Sequence, residues 1–67
     1  MSAVRTALHA LGRLSERKRD VFVMVVLEGM SGEEVARILG IPVATVWTRL
    51  HHARRDLRKE LAVKESS

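Results

Sequence analysis

The chain has 67 residues and no cysteine, with twelve Lys and Arg against eight Asp and Glu, for a formal net charge of +4. This length allows one domain with a small core, and the lack of thiols excludes both disulfides and a thiolate metal site as means of stabilising it. The charge makes a polyanion the first partner to consider. No apolar run approaches the roughly 18 residues of a membrane span, and the N-terminus lacks the pattern of a secretory signal. We therefore expect a cytoplasmic protein without a membrane partner.

The N-terminal stretch carries the pattern of a short amphipathic helix. Ser2 is a typical N-cap residue, and Gly12 is typical of a helix end. Apolar residues follow one another between them at spacings of three and four: Val4, Ala7, Leu8 and Leu11. We therefore expect a first helix that starts after Ser2 and ends at Gly12.

A second helix is predicted between Ser15, which can cap it, and Gly29, which can end it. Its centre, Val21 to Leu27, is seven consecutive apolar residues rich in β-branched types, which by local propensity alone also suits a buried strand. We reject the strand because no second strand-like run is present for it to pair with. The resulting helix is apolar on all sides, and a domain this small is not expected to bury both of its opposite faces.

The stretch from Ser31 to Leu50 has the pattern of a helix-turn-helix. Ser31 and Glu34 have the spacing of a capping box, and Gly40 supplies the left-handed conformation that closes a short helix. Pro42 suits the first turn of the next helix, predicted from about Val43 to Ala62. The apolar positions of this last helix are Val43, Val46, Leu50, Ala53, Leu57 and Leu61. The prediction is an all-α, four-helix domain over residues 1–67, with a disordered tail at 63–67.

The face of the last helix opposite its apolar stripe is the candidate DNA-binding surface. It carries Ala44, Thr45, Thr48, His51, His52 and Arg55, with Trp47 and Arg54 on one flank and Arg49 on the other. Ala44, Thr45 and Thr48, near the start of the helix, are the candidates for base contact. Phosphate or purine contact is predicted for Arg49, His52, Arg54 and Arg55, and contact with the flanking backbone for Arg17 and Arg19.

Other interpretations of the same residues stay open. Threonines and arginines on a helix exterior are commonly a solvated face, and Trp47 suits half burial, our preference, as well as stacking on DNA or a protein contact. His51 and His52 are neighbours about 100° apart on a helix, so they cannot chelate one metal as an i, i+4 pair does. No nucleophile or base accompanies the glutamates near Ser31, so we expect neither catalysis nor a cofactor.

The segment Leu14 to Leu61, LSERKRDVFVMVVLEGMSGEEVARILGIPVATVWTRLHHARRDLRKEL, closely resembles region four of bacterial sigma factors, especially the extracytoplasmic-function group. The resemblance implies a domain that recognises the −35 promoter element and packs against the β flap of RNA polymerase. By the resemblance, the DNA-facing positions are Thr45, Thr48, Arg49 and His52, with Arg17 on the backbone. It also makes Val46, Leu50 and Ala53 core positions.

Two positions differ from the family's usual pattern, since Trp47 stands where a basic residue is common and Ala44 where glycine or a small polar residue is frequent. The family also has a second domain that reads the −10 element, which 67 residues cannot supply. The chain is therefore expected to be an excised domain or a free-standing module, monomeric, with promoter DNA and polymerase as partners. One alternative is a dimeric effector of the response-regulator type. The other is a protein-interaction module, with little DNA affinity, that binds an anti-sigma factor or the polymerase flap.

Overall fold

The computed structural model describes residues 2–66, and side chains for residues 2–62. Its elements are α1 (Ala3–Gly12), α2 (Glu16–Phe22), a π-helical turn (Val23–Leu27, the π-turn), α3 (Gly32–Leu39) and α4 (Val43–Ser66). The predicted all-α class and helix-turn-helix are confirmed.

The three predicted serine caps are all formed. The hydroxyls of Ser2 and Ser15 each accept a hydrogen bond from the amide of the third residue of their helix, at 3.2 and 3.4 Å. At the start of α3, the Glu34 amide donates to Ser31 Oγ and the Ser31 amide donates to Glu34 Oε1, both at 3.1 Å. This reciprocal pair satisfies amides that would otherwise lack partners at the helix start, so the start of α3 is fixed locally.

The helix ends follow the predicted glycines, with one correction. Gly40 has φ 67° and closes α3, and Gly29 has φ 69° in the link before it. Pro42 lies one residue ahead of α4 and not in its first turn, because its carbonyl accepts the amides of Thr45 (3.0 Å) and Val46 (3.3 Å). Pro42 therefore occupies the N-cap position, where its fixed φ still directs the chain into the helix.

The π-turn was not predicted. The Glu28 amide donates to the Val23 carbonyl, five residues earlier, at 2.9 Å. In a continuous α-helix Phe22 and Leu27 would point about 140° apart. The wider i→i+5 turn brings them to the same side, so both line one apolar groove.

The core is small and built around α4. Val21 of α2, Val35 of α3 and Val46 of α4 are fully buried in one cluster with Leu50. Ala53 is also fully buried, so the predicted core positions of α4 are confirmed. Helix α4 packs against α1, α2 and α3, so its apolar stripe is buried by all three of them.

Two ion pairs join α4 to the N-terminal half. Lys18 Nζ lies 2.7 Å from Asp56 Oδ2, and Arg13 Nε lies 3.0 Å from Glu60 Oε1. Asp56 and Glu60 are one helical turn apart, so both pairs hold the same side of α4.

The last helix is longer than predicted, because its backbone is helical to Ser66 and not to about Ala62. The predicted disorder of the tail at 63–67 stays a prediction, because the side chains of residues 63–66 and the whole of residue 67 lie outside the described part of the chain. Within residues 2–66, no helix is both long and apolar enough to cross a membrane.

Acid should loosen the start of α3. The hydrogen bond from the Ser31 backbone amide, followed by that of its hydroxyl, lowers the pKa of Glu34. A carboxyl whose pKa is lower in the folded state stabilises the fold above the ordinary glutamate value of about 4.3 and loses that contribution as pH falls through the lowered value. Glu34→Gln should therefore lower the Tm at pH 7 and reduce the loss of Tm between pH 7 and pH 3. Circular dichroism melts measure both.

Glu33→Gln is the matched control, since it removes the same charge from the same turn without touching the cap. It should keep most of the acid-dependent loss of the wild type. Equal acid profiles for wild type and Glu34→Gln would contradict the assignment.

Candidate nucleic-acid interface

Burial of one stripe of α4 decides which of its side chains face outward. Val46, Leu50 and Ala53 point into the core, so residues about half a turn away point to solvent. The exposed members of the predicted surface are Ala44, Thr48, His51 and Arg55, and the half-buried members are Thr45, Arg49 and His52. The structure thus brings these seven predicted site residues together on one side of α4.

Thr48 lies at the centre of this surface. Its hydroxyl donates to the Ala44 carbonyl one turn earlier, at 3.0 Å. With its proton engaged in the helix, the hydroxyl presents lone pairs to an approaching group, and the methyl beside it is free to pack. Such a side chain suits contact with a hydrogen-bond donor or with the methyl group of thymine in a major groove.

The basic side chains of the surface differ in how freely they can move. Arg49 has no hydrogen bond or ion pair within residues 2–62, and neither does the exposed Arg17. Arg19, by contrast, is half-buried and donates from Nη1 to the Leu14 carbonyl at 3.3 Å. Arg19 therefore fastens the link before α2, and its guanidinium is less available for DNA than we predicted.

Arg55 is held along the helix by its neighbour. Its Nε and Nη2 lie 3.4 and 3.5 Å from Asp56 Oδ1. Lys18, by its hydrogen bond, and Arg55 lower the pKa of Asp56, so the carboxylate stays charged and competes with phosphate for Arg55. The long distances make this hold weak, and an incoming phosphate can displace it.

The two neighbouring histidines have separate orientations. The ring centroids of His51 and His52 are 5.7 Å apart with planes tilted by 58°. Within the described chain, no three His, Asp or Glu side chains form a group able to hold a metal. The geometry of His51 and His52 suits polar contacts made one by one along the helix.

Trp47 was predicted to be half-buried, and 48% of its surface is exposed. Its ring lies over Gly32, the first residue of α3, which is buried beneath it. This partner was not predicted, because nothing local in the sequence marks Gly32 as a contact for a residue 15 positions later.

A second surface lies on the other half of the domain, between α1, the π-turn and the C-terminal half of α4. It is an open apolar groove of about 330 Å³. Its lining residues are Val4, Ala7, Leu8, Ala10, Leu11, Phe22, Leu27, Leu57 and Leu61. Leu8 and Leu27 are each 63% exposed, so the groove presents its apolar side chains to solvent. Exposed, contiguous apolar surface of this kind is typical of a protein-docking site.

Comparison with known proteins identifies the family. Residues 3–57 match the family model described as Sigma-70, region 4. The chain belongs to this family. The resemblance seen in the sequence is thereby confirmed, and α3 and α4 form the helix-turn-helix of this family.

Three curated relatives are similar to the chain. It is 43% identical over 49 residues to the ECF RNA polymerase sigma factor SigW of Bacillus subtilis, covering 73% of this chain and 26% of that protein. It is 41% identical over 53 residues to the ECF sigma factor SigE of Mycolicibacterium smegmatis, covering 79% and 21%. It is 35% identical over 57 residues to a probable sigma factor RfaY of Xanthomonas campestris, covering 85% and 14%. The chain spans about a quarter or less of the length of these relatives.

Proposed function

We propose that this domain recognises the −35 promoter element with the outward face of α4 and docks on the β flap of RNA polymerase with the apolar groove. The role is one of binding, without catalysis, and it places the domain in the cytoplasm with promoter DNA and polymerase core. The observation that supports DNA recognition is that the seven predicted residues of α4 lie together on the face opposite its buried stripe.

The contacts expected on DNA differ along this face. Ala44, Thr45 and Thr48 lie in the first two turns, the part of a recognition helix that reaches base edges. Arg49, with no partner in residues 2–62, has a guanidinium free for a purine edge or a phosphate. The remaining members, Trp47, His51, His52 and Arg55, with Arg17 and Arg19 of α2, are proposed as flanking and backbone contacts.

Replacing Arg49 by Ala should separate base reading from phosphate attraction. A lost bidentate contact with a base costs about 1–3 kcal/mol and lowers the preference for a −35-type duplex over a scrambled one. A lost phosphate contact instead weakens both duplexes and reduces the slope of log affinity against log salt by about 0.9. Fluorescence anisotropy with both duplexes between 50 and 200 mM salt gives both quantities.

Arg5→Ala is the matched control, because it removes the same charge from an exposed position on α1, away from the recognition face. It should leave the preference for the −35-type duplex unchanged. Equal binding of the two duplexes by the wild-type domain at every salt concentration would refute −35 recognition.

The groove carries the polymerase half of the proposal. Its lining is apolar on three sides, and α4 places the exposed Arg54 and Arg58 next to Leu57 and Leu61 on one flank. A partner helix with an apolar stripe and an acidic edge fits such a groove. An anti-sigma factor segment of the same chemistry is the competing occupant.

Leu8→Arg tests the docking surface. Leu8 lines the groove and is 63% exposed, so a charge there should spare the fold yet disfavour an apolar partner. Burying one leucine is worth about 1.5–3 kcal/mol, so affinity for a purified β-flap fragment should fall at least about tenfold. Isothermal titration calorimetry measures this affinity.

Ile38→Arg is the control for added charge, because Ile38 is 60% exposed on α3 and does not line the groove. Flap binding that survives Leu8→Arg would remove the groove from the proposal. Flap binding without DNA binding would make the domain a docking module, and a dimer in sedimentation equilibrium would favour the response-regulator type.

A further inference from the structure

The ring of Trp47 in α4 packs closely against Gly32 at the start of α3. A Cβ placed ideally on Gly32 would lie 2.5 Å from Cζ2 of the Trp47 ring, 3.0 Å from Cε2 and 3.2 Å from Cη2. Any side chain at position 32 would therefore displace the ring or separate the helices. The indole occupies the space that a side chain on α3 would fill.

The part of α3 beneath the ring is held by local hydrogen bonds. Gly32 follows Ser31 directly, and the reciprocal hydrogen bonds between Ser31 and Glu34 hold that turn. The ring of Trp47 thus rests on a fixed piece of backbone and not on a mobile side chain. A contact of this kind restrains position more than a contact between two flexible side chains does.

Two further points join α3 to α4. Gly40 and Pro42 connect the end of α3 to the start of α4, and Val35 of α3 is buried with Val46 of α4 in the core. The connection fixes one end of the pair, and the valines fix the separation of the helices. The Trp47 ring contacts the start of α3, at the end opposite the Gly40–Pro42 connection. A contact at that position restrains rotation of α4 about the α4 helix axis.

Such a rotation matters for base contact. With side chains, a helix has a radius of roughly 5–6 Å, so turning α4 by about 20° moves its outer side chains by roughly 2 Å. Hydrogen bonds tolerate a few tenths of an ångström. A small rotation would therefore take Thr48 and Arg49 off a base edge while leaving the basic surface near the DNA backbone.

We propose that the contact of Trp47 with Gly32 fixes the rotation of α4 within the range that its buried stripe allows, and thereby the sequence preference of the domain. Trp47 is a positioning residue in this role, and Gly32 is needed because it has no side chain. The inference rests on the proposed DNA recognition and goes beyond it by assigning specificity to a pair of residues away from the base-reading face.

A double-mutant cycle tests the pair. Wild type, Gly32→Ala, Trp47→Ala and the double variant are compared by the ratio of their affinities for a −35-type and a scrambled duplex, at a temperature where melts show each to be folded. Gly32→Ala should lower this ratio at least about fivefold, the loss of roughly one base contact. In the Trp47→Ala background the same substitution should change the ratio less than twofold, because the ring it would displace is gone.

Gly12→Ala is the matched control. Gly12 ends α1, and a Cβ there would meet nothing within 4 Å. The same chemical change should leave both the ratio and the emission of Trp47 unaltered. Since Trp47 is the single tryptophan, a red shift in its emission in Gly32→Ala would show directly that the ring has moved.

Residual dipolar couplings give a readout that does not depend on DNA. They report the orientation of α4 relative to α3, which should differ between wild type and Gly32→Ala and agree between wild type and Gly12→Ala. Unchanged couplings and emission in Gly32→Ala would overturn the inference. So would a fall in the affinity ratio that is equal in both backgrounds, which would mean that Gly32→Ala acts on DNA recognition without Trp47.

If the wild-type domain shows no preference between the duplexes, the proposed recognition fails. The couplings then still decide whether Trp47 orients α4. The two failures are therefore distinguishable.

Discussion

The fold depends on the burial of one stripe of α4 against the other helices. Val46 meets Val21 and Val35 there, and each of these three side chains is fully buried. Because α4 supplies the surface on which α1, α2 and α3 pack, loss of this stripe would affect each of those interfaces. A domain of this size has no second core to compensate, so its stability and its recognition face depend on the same few side chains.

The same constraint separates the two candidate surfaces. On one helix, the first turns carry the polar outward face, and the C-terminal half carries Leu57 and Leu61 into the groove. Both surfaces are thus parts of a single helix, at different positions along it and at different angles around its axis. Under the proposed function, DNA and a protein partner would contact different parts of α4, so the two need not compete for the same residues.

The sequence was sufficient for the features that are set locally. The caps at Ser2, Ser15 and Ser31 and the turn at Gly40 were predicted, because each depends on hydrogen bonds or backbone angles within a few residues. The π-turn was not predictable, since Val23–Leu27 contains only apolar residues that suit several helical geometries. Its effect, which is to place Phe22 and Leu27 on one side, is seen only in the folded chain.

The candidate site divides in the same way. Helical periodicity was enough to place Thr45, Thr48 and Arg49 away from the core, because one buried stripe determines the opposite face. It did not reveal that Arg19 donates to the Leu14 carbonyl, which depends on the path of the link before α2, or that Trp47 covers Gly32, which depends on how α3 and α4 approach each other. Where a residue has several plausible roles, its role can be assigned only once its contacts in the folded structure are known.

The ion pairs determine which charged side chains of α4 are neutralised within the domain. Asp56 and Glu60 of α4 turn toward the N-terminal half, where Lys18 and Arg13 neutralise them. The exposed Arg54, Arg55 and Arg58 stand on the remaining sides of the helix, and Asp56 offsets them only through its weak contact with Arg55. These three exposed arginines therefore place positive charge on the solvent side of α4. Under the proposed function, that charge would favour the approach of a polyanion to α4 before any hydrogen bond forms.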